Sequence, residues 1–206
     1  EVYGIDDLND NYDKKIKQWR ISQLISRKNF HFNKLDISSP ATLKRYFRKN
    51  FQSNKLNAIV NLAARTGVRK STADPYSYYQ SNVMGVLNLI QLANTYGIQN
   101  FIHASTSSVY GGSKDRSFNV NTDTSKPLSN YAASKKASET LLYAYHMLHG
   151  QNISILRFFT VYGPAGRPDM SPFIFIQSSI TSKTINLFGT GRQKRDFTYV
   201  DDVVSG

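Results

Sequence analysis

Short apolar segments alternate along this chain with segments of helical periodicity, and this alternation limits most strongly how the chain can fold. The apolar segments predict strands over Val2 to Ile5, Phe30 to Leu35, Asn57 to Ala63, Phe101 to Ala104 and Ile153 to Phe159. The helical patterns lie around Lys14 to Ser26, Pro40 to Arg48, Tyr76 to Tyr96 and Tyr131 to His149. Strands and helices that alternate at this spacing favour parallel pairing with helical crossovers. The sequence therefore predicts an α/β fold built on a doubly wound parallel sheet.

Small or polar residues follow four of the predicted strands, as the pairs Asp6-Asp7, Asp36-Ile37, Ala63-Ala64 and Ser105-Thr106. The carboxyl ends of parallel strands meet at one edge of the sheet, and doubly wound folds bind their ligands beyond that edge. We therefore expect a ligand site there.

The pattern changes after Phe159. Glycine and proline residues break the chain into loops around one short predicted helix, Phe173 to Ser182, and the last residues, 201–206, have the pattern of a helix start. We therefore divide the chain into a first domain over residues 1–160 and a second, partial region over residues 161–206.

Composition excludes several classes of protein. The 206 residues include no cysteine, which removes disulfide scaffolds, thiolate catalysis and sulfur-ligated metal sites. His146 and His149 could share a helix face, but no nearby carboxylate completes a ligand set, so we expect no metal. No apolar stretch approaches the roughly 18 residues of a membrane span, and no secretory signal is visible. We expect a cytoplasmic protein without membrane insertion.

The net charge of +12 raises the question of nucleic-acid binding. Many Lys and Arg residues lie between Asn11 and Lys55, spread over predicted amphipathic helices, without a zinc motif or a recognition helix. A protein with phosphorylated small-molecule substrates would carry the same charge. We therefore predict no nucleic-acid partner.

A tyrosine and a lysine four residues apart open the helix predicted after the fourth strand. A phenol has a reference pKa of about 10, so it is a poor base unless a nearby cation favours its ionised form. Residues four apart share a helix face, which would place the Lys135 ammonium beside the Tyr131 phenol. The run after Tyr131 permits a helix, and Ser129 or Asn130 could cap it. The pair is a candidate for proton transfer.

This spacing is weak by itself, because about one Tyr-x-x-x-Lys match is expected by chance in a chain with 13 Tyr. A second match, Tyr110 to Lys114, runs through Gly111-Gly112, which favour a loop, so we reject it as a catalytic pair. Three hydroxyls, Thr106, Ser107 and Ser108, follow the strand before Tyr131 and could serve the same proton transfer.

Taken together, the motifs resemble the extended short-chain dehydrogenases/reductases of the nucleotide-sugar epimerase group, and most closely the UDP-glucuronate 4-epimerases. The resemblance covers nearly the whole chain. It rests on Gly4 to Asn9, Leu35 to Ile37, Asn61 to Ala64, Ser81 to Gly85, Ala104 to Gly111, Tyr131 to Lys135, Arg157 to Pro164, Gly166 to Met170 and Gly189 to Asp202. It implies a Rossmann-like fold that binds NAD.

The resemblance also implies a role for individual residues. Asp6 would bind the adenosine ribose, although an isolated Asp after a strand is more often a turn residue. The other cofactor contacts would be Asp36 and Ile37 at the adenine, Ala63, Ala64 and Asn82 in the cavity, and Lys135 at the nicotinamide ribose. In the second region, Thr160 would face the sugar nucleotide, Arg195 would meet its diphosphate, and Arg167 would support the same substrate.

The implied reaction is reversible oxidation of the sugar C4 hydroxyl. Tyr131 would take the hydroxyl proton while hydride passes to NAD, and Thr106 would hydrogen-bond the C4 oxygen. The 4-keto sugar would then rotate and receive hydride on its other face. The cofactor is regenerated in each turnover, so it would stay bound.

Two neighbouring positions separate this reaction from those of related enzymes. Related dehydratases carry an Asp-Glu pair after the Thr, and related decarboxylases keep a Glu at the second position, whereas this chain has Ser107 and Ser108. Serine cannot supply that acid–base chemistry at neutral pH. The three adjacent hydroxyls suit a carboxylate, so we expect conversion of UDP-glucuronate to UDP-galacturonate. Ala165 and Arg65 depart from the family pattern and leave UDP-glucose or another nucleotide sugar as alternatives.

No Gly-x-Gly-x-x-Gly turn precedes Asp6, although this turn normally opens a dinucleotide fold. We therefore expect a chain truncated at both ends, with only the start of a substrate lobe, and no activity for residues 1–206 alone. By analogy with the family, the full-length protein would form a homodimer through the helix of Tyr131. A non-catalytic nucleotide-binding protein on the same fold is the alternative of a different class.

Overall fold

The computed structural model describes residues 1–52, 56–113, 117–186, 190–192 and 194–206. Its strands are β1 (Val2–Asp6), β2 (Phe30–Lys34), β3 (Ala58–Asn61), β4 (Asn100–Thr106), β5 (Asn152–Phe158), β6 (Thr160–Tyr162) and β7 (Phe197–Tyr199). Its helices are α1 (Lys14–Ser22), α2 (Pro40–Phe51), α3 (Lys70–Ala73), α4 (Pro75–Tyr79), α5 (Gly85–Thr95), α6 (Asn130–His149), α7 (Ser171–Thr181) and α8 (Val200–Ser205). A π-helical turn covers Gln80–Met84, and a 3-10 turn covers Ser107–Tyr110.

The central sheet has the order β3-β4-β5, and both of its pairings are parallel. In its register His103 of β4 lies between Asn61 of β3 and Ile155 of β5. The parallel pairing confirms the predicted fold class. Among the described strands, however, the pairing is divided, because β1 pairs with β2 and β6 pairs with β7 in two separate sheets.

The chain divides into two compact units. One unit holds residues 5–7 and 33–158, and it contains the central sheet with α2 to α6. Its apolar core includes Leu43 and Phe47 of α2, Val86 and Ile90 of α5, Phe101 of β4 and Leu142 of α6. The other unit holds residues 1–4, 8–32 and 159–206, with α1, β6, β7, α7 and α8. The predicted division after residue 160 concerns ligand binding and stays a prediction.

The sequence sets the ends of α6 directly. The Ser129 hydroxyl accepts a hydrogen bond from the backbone N–H of Ala132, which satisfies one of the free donors of the first turn. Gly150 follows the last turn with φ of 67°, a left-handed conformation that glycine adopts without steric cost. The prediction of a helix from Tyr131 to His149 is therefore confirmed, one residue short at its start.

The helix predicted around Tyr76 to Tyr96 is confirmed as a continuous helical segment over residues 75–95. Its winding was not predicted, because a π-helical turn lies between α4 and α5. The π-helical turn carries Asn82, whose buried amide bonds to Arg65 and Ser134 in two other segments. The helix predicted over Lys14 to Ser26 also ends earlier, at Ser22. No helix in the described ranges is long and apolar enough to cross a membrane.

Candidate active site

Tyr131 and Lys135 lie one turn apart near the start of α6. The Tyr131 ring packs edge-on against the Tyr78 ring, with centroids 6.3 Å apart. Tyr78 is itself fixed, because its hydroxyl lies within donor distance of the carbonyls of Thr66, at 2.7 Å, and Gly67, at 2.9 Å. The predicted pair therefore begins a regular helix, with the phenol ring packed against an anchored aromatic side chain.

The Lys135 side chain is buried, with 2% of its surface exposed. Its Nζ lies 3.3 Å from Nε2 of His103 on β4. Burial lowers the pKa of Lys135 to about 8, against the opposing effect of the negative charge on Glu139. Burial and the Lys135 charge lower the pKa of His103 to about 3. At neutral pH the pair is thus an ammonium beside a neutral imidazole.

His103 was missed by the sequence analysis, although it is fully buried at the centre of the sheet. Its Nδ1 lies 3.2 Å from the Asn61 amide nitrogen, and its Nε2 lies 3.0 Å from the Ser138 hydroxyl. The signal was a polar residue inside an apolar strand. A buried imidazole needs partners for both nitrogens, so this position indicated a polar network between β4 and its neighbours.

The three predicted hydroxyls lie at the end of β4. Thr106 is its last residue, is buried, and accepts a hydrogen bond at 3.1 Å from the backbone N–H of Ser108. Ser107 and Ser108 lie in the 3-10 turn and are half-buried. Helix α6 contacts both β4 and this turn. The fold therefore packs the segment that carries these hydroxyls against the helix that carries Tyr131.

Asp6 and Asp36 lie at the ends of neighbouring strands, since the backbone N–H of Leu35 donates to the carbonyl of Asp6. The Asp36 carboxylate accepts from the N–H of Ser38 at 2.8 Å. Ile37 is only 6% exposed and packs so closely on Gly85 that an added Cβ would lie 2.6 Å from its Cδ1. Ile37 thus has little free surface.

Ala63 and Ala64 follow β3 in a half-buried loop held from two sides. The Asn61 side chain accepts from the Ala63 N–H at 3.2 Å, and Asn82 accepts from the Arg65 N–H at 2.8 Å. The Asn82 amide nitrogen donates to the Arg65 carbonyl and to the Ser134 hydroxyl. Because Asn82 is completely buried with its amide bonded to protein, it positions this loop and α6.

The remaining predicted substrate residues belong to the other unit. The N–H of Thr160 donates to the carbonyl of Asp196 at 3.2 Å. Arg167 forms a two-point ion pair with Asp169, at 3.0 and 2.6 Å, and Arg195 donates to the carbonyl of Lys194. Their roles toward a substrate stay predictions. Lys114 of the rejected pair and Gly189 of the last motif lie outside the described residues.

Known proteins resemble this chain both in sequence and in fold. The family model described as NAD dependent epimerase/dehydratase family matches residues 1–206. A UDP-glucuronate 4-epimerase of Thermodesulfobacterium geofontis is 46% identical over 205 residues, which cover 100% of this chain and 62% of that relative. The chain thus spans less than two thirds of that relative's length.

Two solved structures resemble the chain closely in fold. One is UDP-glucuronic acid 4-epimerase from Bacillus cereus in complex with UDP-glucuronic acid and NAD, with a TM-score of 0.88 and 34% identity, over 98% of this chain and 62% of that one. The other is the dTDP-glucose 4,6-dehydratase DesIV of Streptomyces venezuelae, a double mutant with NAD and DAU bound. Its TM-score is also 0.88, at 28% identity, over 100% of this chain and 60% of that one.

Proposed function

Because the chain belongs to the NAD-dependent epimerase/dehydratase family, we propose that the whole protein is an NAD-dependent nucleotide-sugar 4-epimerase. The observation that carries the proposal is the start of α6, where Tyr131 and a buried Lys135 lie one turn apart. This helix contacts β4, which ends at Thr106, and the 3-10 turn that follows it. Proton transfer from a sugar carbinol requires a base, a cation that favours its ionised form and a hydroxyl to orient the reacting oxygen, and these residues supply the three groups.

Each of these residues has a distinct task in the proposed reaction. The Lys135 ammonium favours the phenolate form of Tyr131, which accepts the proton of the C4 hydroxyl and later returns it. The Thr106 hydroxyl hydrogen-bonds the C4 oxygen and orients it. His103 is neutral at the working pH, so it contacts Lys135 without adding a second positive charge.

The residues at the strand ends fit a dinucleotide. Asp6 is exposed and would bind ribose hydroxyls, and the half-buried Ala63 and Ala64 add only methyl groups to the β3 loop, so the cofactor could approach its backbone. Asp36 and Ile37 would lie at the adenine, and Lys135 at the nicotinamide ribose. When bound, NAD supplies the acceptor and donor of hydride for the reversible oxidation at C4. Asn82 would act on this site through the loop that it holds.

The proposed substrate is UDP-glucuronate and the product UDP-galacturonate. Hydroxyl groups at Ser107 and Ser108 can donate to a carboxylate, whereas they cannot replace the acid–base pair of a dehydratase. The relatives named UDP-glucuronate 4-epimerase support the same substrate. Thr160, Arg167 and Arg195 are proposed as further contacts to this sugar nucleotide, with Arg195 at the diphosphate.

We also propose that the whole protein is a cytoplasmic homodimer.

The experiment that tests the function mixes the whole protein with UDP-glucuronate and follows formation of UDP-galacturonate, with UDP-glucose as the comparison substrate. Conversion of UDP-glucose alone would identify a UDP-glucose 4-epimerase. Binding of a UDP-sugar without any conversion would identify a non-catalytic protein and overturn the proposal.

A further inference from the structure

Glu139 lies on α6 one turn beyond Lys135 and is 4% exposed. The Ser105 hydroxyl donates to its Oε1 at 2.5 Å. Arg157 of β5 donates to both carboxylate oxygens, Nε to Oε1 at 3.0 Å and Nη2 to Oε2 at 2.9 Å. Lys136 adds a contact at 3.6 Å. Burial raises the pKa of Glu139, but the hydrogen bonds from Arg157 and Ser105 outweigh it, so its pKa lies below the ordinary value.

These contacts connect Glu139 to the segment that carries the hydroxyl cluster. Ser105 directly precedes Thr106 at the end of β4. Arg157 also contacts the Tyr110 hydroxyl at 3.3 Å, and Tyr110 ends the 3-10 turn that contains Ser107 and Ser108. One carboxylate therefore holds the strand end and its turn against the helix of Tyr131 and Lys135.

Glu139 follows Lys135 by four residues on α6, so the two side chains share one face of the helix. His103 from β4, which lies in direct contact with Lys135, is neutral. The Glu139 carboxylate is itself paired with two cations, Arg157 from β5 and Lys136 on α6. Among the described residues, Glu139 is thus the carboxylate that offsets the cost of burying this ammonium.

We propose that Glu139 is a positioning residue for proton transfer: it fixes the Thr106 strand end against α6 and keeps the buried Lys135 charged. The proposal rests on the proposed epimerase function for its catalytic meaning. Its electrostatic part concerns only residues of this chain. If the Glu139–Arg157 pair had only a structural role, its loss would change the stability of the fold but would not move the titration of Lys135.

The test uses two changes in the whole protein that each remove one charge, Glu139→Gln and Arg157→Gln. Removal of the negative charge destabilises the Lys135 ammonium, so its titration should move to lower pH by about one unit. Removal of Arg157 leaves Glu139 ionised, because Ser105 and Lys136 still contact it, and the titration should move to higher pH. The titration is read from NMR of the Lys135 side chain in lysine-labelled protein, assigned with Lys135→Met.

Ser105→Ala is the matched control, because it removes one hydrogen bond to Glu139 and no charge. It should leave the Lys135 titration in place and lower turnover, since Thr106 is less firmly held. If Glu139→Gln does not fold, Glu139→Asp is used in its place. It keeps the negative charge, so Lys135 should titrate close to its wild-type pH. Shifts of the Lys135 titration in the same direction in Glu139→Gln and Arg157→Gln, or no shift in either variant, would overturn the proposal. Opposite shifts in a protein without turnover would leave this assignment standing and remove the proposed function instead.

Discussion

The Nζ atom of Lys135 lies 3.3 Å from Nε2 of His103, so the ammonium of the proposed proton-transfer pair contacts a neutral imidazole. Both side chains are buried, at 2% and 0% exposure. An ammonium in such a place costs free energy relative to water, and only hydrogen bonds and the charge of Glu139 offset that cost. The burial of Lys135 therefore lowers stability while it keeps a positive charge on the residue one helical turn from Tyr131.

The free-energy cost of burying the Lys135 ammonium predicts the behaviour of Lys135→Met. The folded pKa of Lys135 is about 8 and its ordinary value is 10.5, so the folded state binds the proton more weakly than the unfolded state does. The cost is complete below about pH 8 and disappears as the pH rises through 10.5. Lys135→Met should therefore raise the free energy of unfolding of the whole protein by a few kcal/mol at pH 7. Denaturant titrations at pH 7 and 10.5 measure it, and turnover should be lost. Equal effects at both pH values would contradict it.

Tyr131→Phe tests the proposed base. The change removes one hydroxyl and keeps the ring that packs on Tyr78, so the fold and UDP-sugar binding should persist. Loss of a general base lowers turnover by at least about 100-fold. Conversion of UDP-glucuronate and calorimetric binding of UDP-glucuronate are measured together. Tyr143→Phe, at an exposed position later in α6, is the matched control and should retain activity.

The pH dependence of turnover should follow the lysine. Loss of the Lys135 proton removes the positive charge that favours the Tyr131 phenolate, so the rate should fall as the pH rises through about 8. His103 has a pKa of about 3 and adds no step near neutral pH. Initial rates between pH 6 and 10 give this profile. A rate that keeps rising above pH 9 would show that Lys135 stays charged there.

Asn82→Leu should weaken the β3 loop. The amide bonds to the backbone N–H and carbonyl of Arg65 and to the Ser134 hydroxyl. Leucine would remove all three bonds and leave the half-buried backbone groups of Arg65 without this partner. We expect a loss of about 2–4 kcal/mol in the free energy of unfolding and weaker NAD binding. Asn94→Leu, at an exposed position of α5, is the control and should change neither quantity. Normal NAD affinity in Asn82→Leu would separate this loop from the cofactor.

Gly85→Ala tests the close approach of α5 to Ile37. An added Cβ would lie 2.6 Å from Ile37 Cδ1, so Ile37 must move, at a cost of about 1–3 kcal/mol in stability. If Ile37 lies at the adenine, NAD affinity should fall as well. Gly112→Ala has its nearest neighbour at 3.5 Å and should be tolerated. Thermal unfolding and NAD titration of the whole protein compare the two.

Ser107→Ala and Ser108→Ala test substrate choice. If these hydroxyls donate to the glucuronate carboxylate, each change should raise KM for UDP-glucuronate about 10-fold, because a hydrogen bond to a charged group is worth roughly 1.5 kcal/mol or more. KM for UDP-glucose, where it is converted, should stay constant. A parallel loss for both sugars would assign the serines to the turn and not to the carboxylate.

Much of the fold followed from local pattern. Apolar runs of strand length, helical periodicity and the turn residues between them predicted the parallel strands β3, β4 and β5 and the helix α6. Local pattern did not predict the π-helical turn over Gln80–Met84. Asn82 of this turn bonds to Ser134, 52 positions away, and a contact at that separation leaves no local pattern.

The sequence by itself determined that Tyr131 and Lys135 share a face of α6, because four-residue spacing and the Ser129 cap are properties of neighbouring residues. Only the tertiary structure decided which groups surround Lys135. His103 lies 32 positions away from it along the chain, and Arg157 lies 18 positions from Glu139. Parallel pairing and helix packing bring these residues together, and burial then sets their charges, since the cost of an ion depends on its three-dimensional surroundings.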